Sequence, residues 1–278
     1  MAKKLTPFAI AYDFDGTLAP GNIQEYDFVP AIGMTKKAFW KDVGELTKKH
    51  NADNILMYMM HMLDKANAAQ VPVRKVDFVN FGRSVTLFEG VIDWFDRINR
   101  YGKERGVKVM HYIISSGNRE MIEGTPIAKK FAAIYASSFI YDQNGVAKWP
   151  ALAVNYTTKT QFLFRINKGV LNVHDNSKIN EFVPKEDRHV PFNNIVFIGD
   201  GDIPCFRMVK SQGGHSIAVY KPSTHGTKEK AKKLIKDGRV NFIAPANYSE
   251  NSEIDTFVKR IINKVAADDS LKKLGKKD

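Results

Sequence analysis

The sequence predicts an α/β fold: a parallel-sheet core with an α-helical segment inserted after its first strand. Three observations point there. Short apolar runs alternate with amphipathic stretches along most of the chain, the pattern of parallel strands joined by right-handed crossovers. Residues 20–88 interrupt that alternation with helical stripes and no clear strand. Acidic and hydroxyl residues stand where several apolar runs stop, at the strand ends where open parallel sheets bind ligands.

Each element has its own warrant. Residues 8–12 (Phe-Ala-Ile-Ala-Tyr) form an apolar run that stops at Asp13, and Gly16 supplies the turn after it. Within the insertion, residues 36–49 carry Phe39, Trp40, Val43 and Leu46 close to one helical stripe, and residues 53–68 carry Ile55, Leu56, Met59, Met62 and Leu63. Residues 73–88 predict a third helix there, with Pro72 at its start. Residues 89–105 are amphipathic through Val91, Ile92, Trp94, Phe95, Ile98 and Tyr101, and Gly106 ends them. A strand is expected over 107–114, a helix from 121 to 128 and a strand over 131–136. Asn144-Gly145 between β-prone runs predicts a hairpin within 138–156. A helix over 160–173, strands over 195–198, 216–220 and 241–244, and a closing helix over 254–265 complete the reading. The core therefore comprises residues 1–19 and 89–278, and the helical insertion residues 20–88.

Composition narrows the classes of function. Apolar residues make up 44% of the 278, enough for a substantial core. No stretch approaches the roughly 18–20 apolar residues of a membrane span, and residues 1–8 carry no signal-peptide pattern. Cys205 is the single cysteine, so no internal disulfide forms, and a reducing, cytoplasmic location is expected. The net charge of +12 favours anionic ligands. The lysine-rich stretches 228–236 and 272–277 lack the interleaved aromatics of an oligonucleotide groove. They read as solvated faces and a frayed tail, with an anion-binding role as the alternative, and no nucleic-acid partner is expected.

The chemistry gathers at the strand ends. Asp13 and Asp15 lie two residues apart, so in extended backbone both carboxylates face one pocket, where one can attack or bind metal and the other move a proton. Ser115-Ser116-Gly117 ends another strand, and hydroxyl and amide groups there can hold an anion. Lys159 precedes a helix and can neutralise a phosphoryl group. Asp200, between Gly199 and Gly201, completes a set of hard oxygen donors suited to Mg²⁺.

Asp13-Phe14-Asp15-Gly16-Thr17-Leu18, Ser115-Ser116-Gly117, Lys159 and Gly199-Asp200-Gly201-Asp202 resemble, in order, the four motifs of the haloacid dehalogenase-like hydrolases, in particular their phosphoserine phosphatase-like branch. The resemblance spans residues 7–245 and implies a Rossmann-like core with a type 1 helical cap. It also implies that Asp13 is a covalent nucleophile and Asp15 an acid–base. Ser115 and Lys159, with Ser116 and Gly16 beside them, would serve the phosphoryl oxygens, and Thr17 would brace the first loop. Mg²⁺ would be held by Asp13, the carbonyl of Asp15, Asp200 and Asp202. An aspartate at Asp15 points to phosphate esters, so the expected activity is hydrolysis of a small phosphate monoester. The same scaffold also serves phosphotransferases, phosphomutases and non-catalytic binding proteins.

One departure stands out. The family places a second acid four or five residues after the first in the fourth motif, where this chain has Pro204 and Cys205. Asp202 is the nearby acid, in a loop two residues shorter. Ser115 is favoured over Ser116 and Lys159 over Lys168, which sits where a lysine merely favours the helix dipole. Met57, Met59, Met60 and Met62 read as packing, Cys205 as a buried apolar residue, and His215 as a residue near the site. No histidine pair has zinc-ligand spacing.

Overall fold

The computed structural model describes residues 5–275. The amino-terminal residues 1–4 and the end of the lysine-rich tail, 276–278, lie outside the described residues. The chain opens with β1 (Thr6–Tyr12), followed by α1 (Phe28–Ala31), α2 (Lys36–His50), α3 (Asn54–Ala68) and α4 (Lys75–Phe81). Then come α5 (Val91–Glu104), β2 (Val107–Asn118), α6 (Arg119–Glu123), and the hairpin of β3 (Ala133–Tyr141) and β4 (Ala147–Leu152). The remainder is α7 (Lys159–Lys168), α8 (Asn176–Asn180), β5 (Ile195–Gly199), α9 (Ile203–Ser211), β6 (His215–Tyr220), α10 (Thr227–Lys236), β7 (Phe242–Pro245) and α11 (Glu253–Leu274). Among the described residues, no helix is long and apolar enough to cross a membrane.

The strands form one seven-stranded sheet in the order β4-β3-β2-β1-β5-β6-β7, parallel except for β4. This is the Rossmann-like α/β architecture. Alternation along β1 separates two cores. Phe8, Ile10 and Tyr12 join Trp94 and Phe95 of α5 and Val258 and Ile262 of α11 on one face. Ala9 and Ala11 face Phe162 and Leu163 of α7 and Phe206 and Val209 of α9 on the other. Chain order runs outward from β1 to β2 and β3 on one side, and from β5 to β6 and β7 on the other. The switch falls between β1 and β5, where Asp13 N donates to the Ile198 carbonyl at 2.9 Å.

Several boundaries differ from expectation. The third inserted helix is confined to Lys75–Phe81, and Pro72 does not start it. The backbone before it pairs instead with the hairpin, Ala147 N donating to Val73 O and Lys75 N to Gly145 O, both at 2.9 Å. Periodicity along residues 73–88 could not register partners some 70 positions away. The helix stops at Gly82, where it crosses the end of α6. A Cβ on Gly82 would sit 1.8 Å from Met121 O, and one on Gly124 would sit 1.9 Å from Val79 O. Two glycines thus let the inserted segment and the core meet backbone to backbone. The helix expected over 121–128 is the shorter α6, started earlier by Asn118, whose Oδ1 accepts from Met121 N at 2.9 Å, and ended already at Gly124. The strand expected over 131–136 runs on to Tyr141 because the hairpin partner extends it. Gly169, at φ +75°, ends α7 before residue 173. The closing helix runs on to Leu274.

Candidate active site

Asp13, Ser116 and Asp200 each follow or end a strand at the carboxyl edge of the sheet: β1, β2 and β5 are neighbours there. They border a cavity of about 650 Å³, together with Asp15, Gly16, Lys159 and Asp202. Asp13 is buried. Its Oδ1 accepts from Phe14 N at 2.7 Å and from Lys159 Nζ at 3.0 Å, so Oδ2 carries neither of these bonds. Lys159 opens α7, is only 2% exposed, and also donates to Asp202 Oδ1 at 2.6 Å. Burial works against its charge, but Asp13 and Asp202 outweigh that and hold its pKa above the usual lysine value.

The shortened fourth motif is accommodated by helix geometry. α9 begins directly at Ile203, with Asp202 in the capping position and Pro204 in the first turn, where its missing N–H costs nothing. Asp202 makes no side-chain cap and is 2% exposed at the cavity. One carboxylate oxygen from each of Asp13, Asp200 and Asp202 lies within 4.8 Å of the others. Burial raises the pKa of Asp200 to about 7, Asp13 adds to the effect, and Lys159 opposes it. Asp202 is raised well above the carboxylate range for the same reasons. Asp202 Oδ2 is buried without a hydrogen-bond partner. Oxygen-only donors, an orphaned carboxylate oxygen and an excess of negative charge together fit a hard divalent cation.

Asp15 faces the same cavity, with Oδ1 accepting from Ile23 N at 2.8 Å. Burial first, then the charge of Asp13, raises its pKa well above the carboxylate range. Gly16 has φ +70°, and a Cβ there would lie 2.2 Å from Asp200 Oδ2, so the first motif must pass the Asp200 carboxylate with no side chain. Thr17 is wholly buried away from the cavity, and its carbonyl accepts from Tyr248 Oη at 3.0 Å.

The two serines separate. Ser115 is fully buried and its Oγ accepts from Gly117 N at 3.0 Å. Ser116 lines the cavity, and its Oγ has no partner. Both serines lie where the register of β2 against β3 shifts, between Ile114 and Asn118. Tyr58, from the inserted α3, donates to the Ser116 carbonyl at 2.6 Å. Lys168 is remote, donating to the carbonyls of Ile179 at 2.7 Å and Glu181 at 2.6 Å. His215 begins β6 at the far end of the sheet and does not border the cavity. Cys205, Met59 and Met62 are buried and Met57 packs against the core, whereas Met60, expected to pack, is exposed.

The far wall went unnoticed in the sequence. Tyr220 ends β6 and Lys221 follows it, and Thr227, Lys230, Ala231 and Leu234 present one face of α10 to the cavity. Their spacing of three, four and seven residues was the available signal, hidden within a run that reads as a solvated lysine face.

Comparison with known proteins agrees with this geometry. The haloacid dehalogenase-like hydrolase family matches residues 10–207. An uncharacterised protein of Borreliella burgdorferi is 32% identical, over 90% of this chain and 94% of its own. Among solved structures, a haloacid dehalogenase-family hydrolase from Salmonella enterica serovar Typhi superposes with a TM-score of 0.57 at 15% identity, covering 92% of this chain and 72% of the other. A substrate-bound phosphoserine phosphatase gives a TM-score of 0.51 at 17% identity, covering 85% of this chain and 99% of that one. At these identities the likeness is one of fold.

Proposed function

The chain belongs to the haloacid dehalogenase-like hydrolase family, and from that premise we propose that it hydrolyses a phosphate monoester through a phosphorylated Asp13, with Mg²⁺ as cofactor. The observation that carries this reading is the junction of Asp13, Lys159 and Asp202 at the cavity floor, with Asp200 completing the oxygen cluster.

In the first step Asp13 Oδ2 attacks phosphorus, the bond to the leaving oxygen breaks, and Asp15 gives that oxygen a proton. In the second, water attacks the phosphorylated Asp13, Asp15 takes a proton from the water, and inorganic phosphate leaves. Lys159 and the Ser116 hydroxyl hold phosphoryl oxygens, with the loop at Gly16 beside them, while Ser115 and Thr17 shape the loops. Asp13, Asp200 and Asp202, with the carbonyl of Asp15, would hold Mg²⁺, which when bound offsets the charge of the phosphoryl group. Residues 20–88 serve as the cap over this site, and Tyr58 links them to the strand that carries Ser116. A cytoplasmic setting suits a chain whose single cysteine is buried.

Turnover of p-nitrophenyl phosphate with Mg²⁺ tests the reading. Wild type should release phosphate, and Asp13→Asn should lose activity by about 10⁴-fold or more. Equal turnover in the variant would remove Asp13 as the nucleophile.

A further inference from the structure

The cavity is chemically lopsided. Its floor is the carboxylate cluster around Lys159, whereas its far wall carries Lys221 and Lys230. Among the described residues neither of these lysines has a carboxylate partner, and both are exposed toward solvent. Their placement is built into the fold. Thr227 Oγ1 donates to the carbonyls of Lys221 and Thr224, each at 2.8 Å, closing the loop between β6 and α10. That closure brings the residue after β6 and the second turn of α10 to one wall. Ile203, Val219 and Leu234 add apolar lining. A volume of about 650 Å³ is that of a pocket for an extended ligand, more than a phosphoryl group on a short alcohol occupies.

We propose that Lys221 and Lys230 form a second anion subsite, so that the substrate is an extended phosphomonoester with a second anionic group, phosphate or carboxylate, remote from the scissile phosphate. The inference rests on the phosphatase reading above and adds the substrate class. The apolar lining suits an aliphatic or planar spacer between the two anions. Two lysines without competing carboxylates give the second anion charge-assisted hydrogen bonds that the alkyl end of a monophosphate cannot form.

The test uses alkanediol bisphosphates from propane to hexane diol, the matched phosphoalkanoates, and alkyl monophosphates of equal length, all with Mg²⁺. Wild type should favour a doubly anionic ester over its monophosphate by about tenfold or more in kcat/KM at one chain length. The double variant Lys221→Gln/Lys230→Gln should lose that preference, and whichever doubly anionic series is preferred identifies the second group. Equal kcat/KM across the series in wild type, or a preference that survives in the double variant, overturns the subsite. Turnover of p-nitrophenyl phosphate alongside, with Asp13→Asn as control, reports on the catalytic reading separately. Should that turnover be missing, calorimetric titration of the same bisphosphates decides. Binding about tenfold weaker in the double variant than in wild type supports the subsite, and equal binding overturns it.

Discussion

Two charge clusters in this protein follow opposite designs. At Asp255, in the first turn of α11, one carboxylate meets two cations. Arg97 Nε lies 3.2 Å away and Lys259 Nζ 2.7 Å away, and Asn251 N donates at 2.9 Å. Burial penalises the Asp255 charge, but the bonds from Lys259, Asn251 and Arg97 prevail and its pKa falls below the carboxylate value. At the cavity the ratio is reversed. Asp13, Asp200 and Asp202 crowd together, and among the described residues Lys159 is their only ion-pair partner. Asp200 and Asp202 are pushed up and Asp202 Oδ2 is orphaned. A cluster that closes its own charge holds the fold together. One left with excess negative charge is built to receive positive charge from outside.

The largest expected effect falls on the closed cluster. Asp255→Ala removes the shared partner of Arg97 and Lys259 and should lower unfolding stability in urea by about 3 kcal/mol. This is the low end for a broken buried pair, because both cations are 18% exposed and can turn to water. Since the folded pKa of Asp255 is depressed, its contribution is complete above the ordinary carboxylate value of 3.8 and disappears as pH falls through the folded value. The gap between wild type and Asp255→Asn should therefore narrow as pH falls below the ordinary carboxylate value of 3.8. A gap independent of pH would mean that packing, not charge, is what the substitution removes.

Cation binding should sharpen the contrast at the open cluster. Adding Mg²⁺ to chelator-stripped wild type should raise stability by about 2.7 kcal/mol at a hundredfold excess over Kd, read as a rise in Tm. Asp255→Asn should keep that response, and Asp200→Asn should lose most of it. A response of equal size in Asp200→Asn would place the cation elsewhere.

The smallest effect has the most telling sign. In chelator, Asp200→Asn should be no less stable than wild type and should gain about 1 kcal/mol, because one of three mutually repelling carboxylates is gone. The thermal midpoint in EDTA measures it. A clear loss would mean that Asp200 is part of the structural framework rather than of an unsatisfied site.

How far the sequence carries the reader differs between these parts. Asp13 and Asp200 stand out because strand ends and turn glycines mark them locally, and Lys159 because it stands at the start of a helix. The choice between Ser115 and Ser116 is not local: both lie where the register against β3 shifts, and of the two it is Ser116 that lines the cavity. Asp202 has the same character. Its loop lacks two residues in sequence, yet an early start to α9 delivers the carboxylate to Lys159. Gly82 and Gly124 look like ordinary punctuation until α4 and α6 cross at backbone contact.

By itself the sequence determined the α/β class, the alternation that sorts β1 between two cores, the helical character of the segment after it, and the cluster of acids at strand ends. These follow from periodicity and turn chemistry, which act over a few residues. Tertiary structure alone decided which serine lines the cavity, how a shortened loop still supplies Asp202, and that Lys221 and Lys230 border the same cavity as Asp13. Those outcomes depend on register, crossing geometry and the joining of segments some 200 residues apart, to which no local pattern is sensitive.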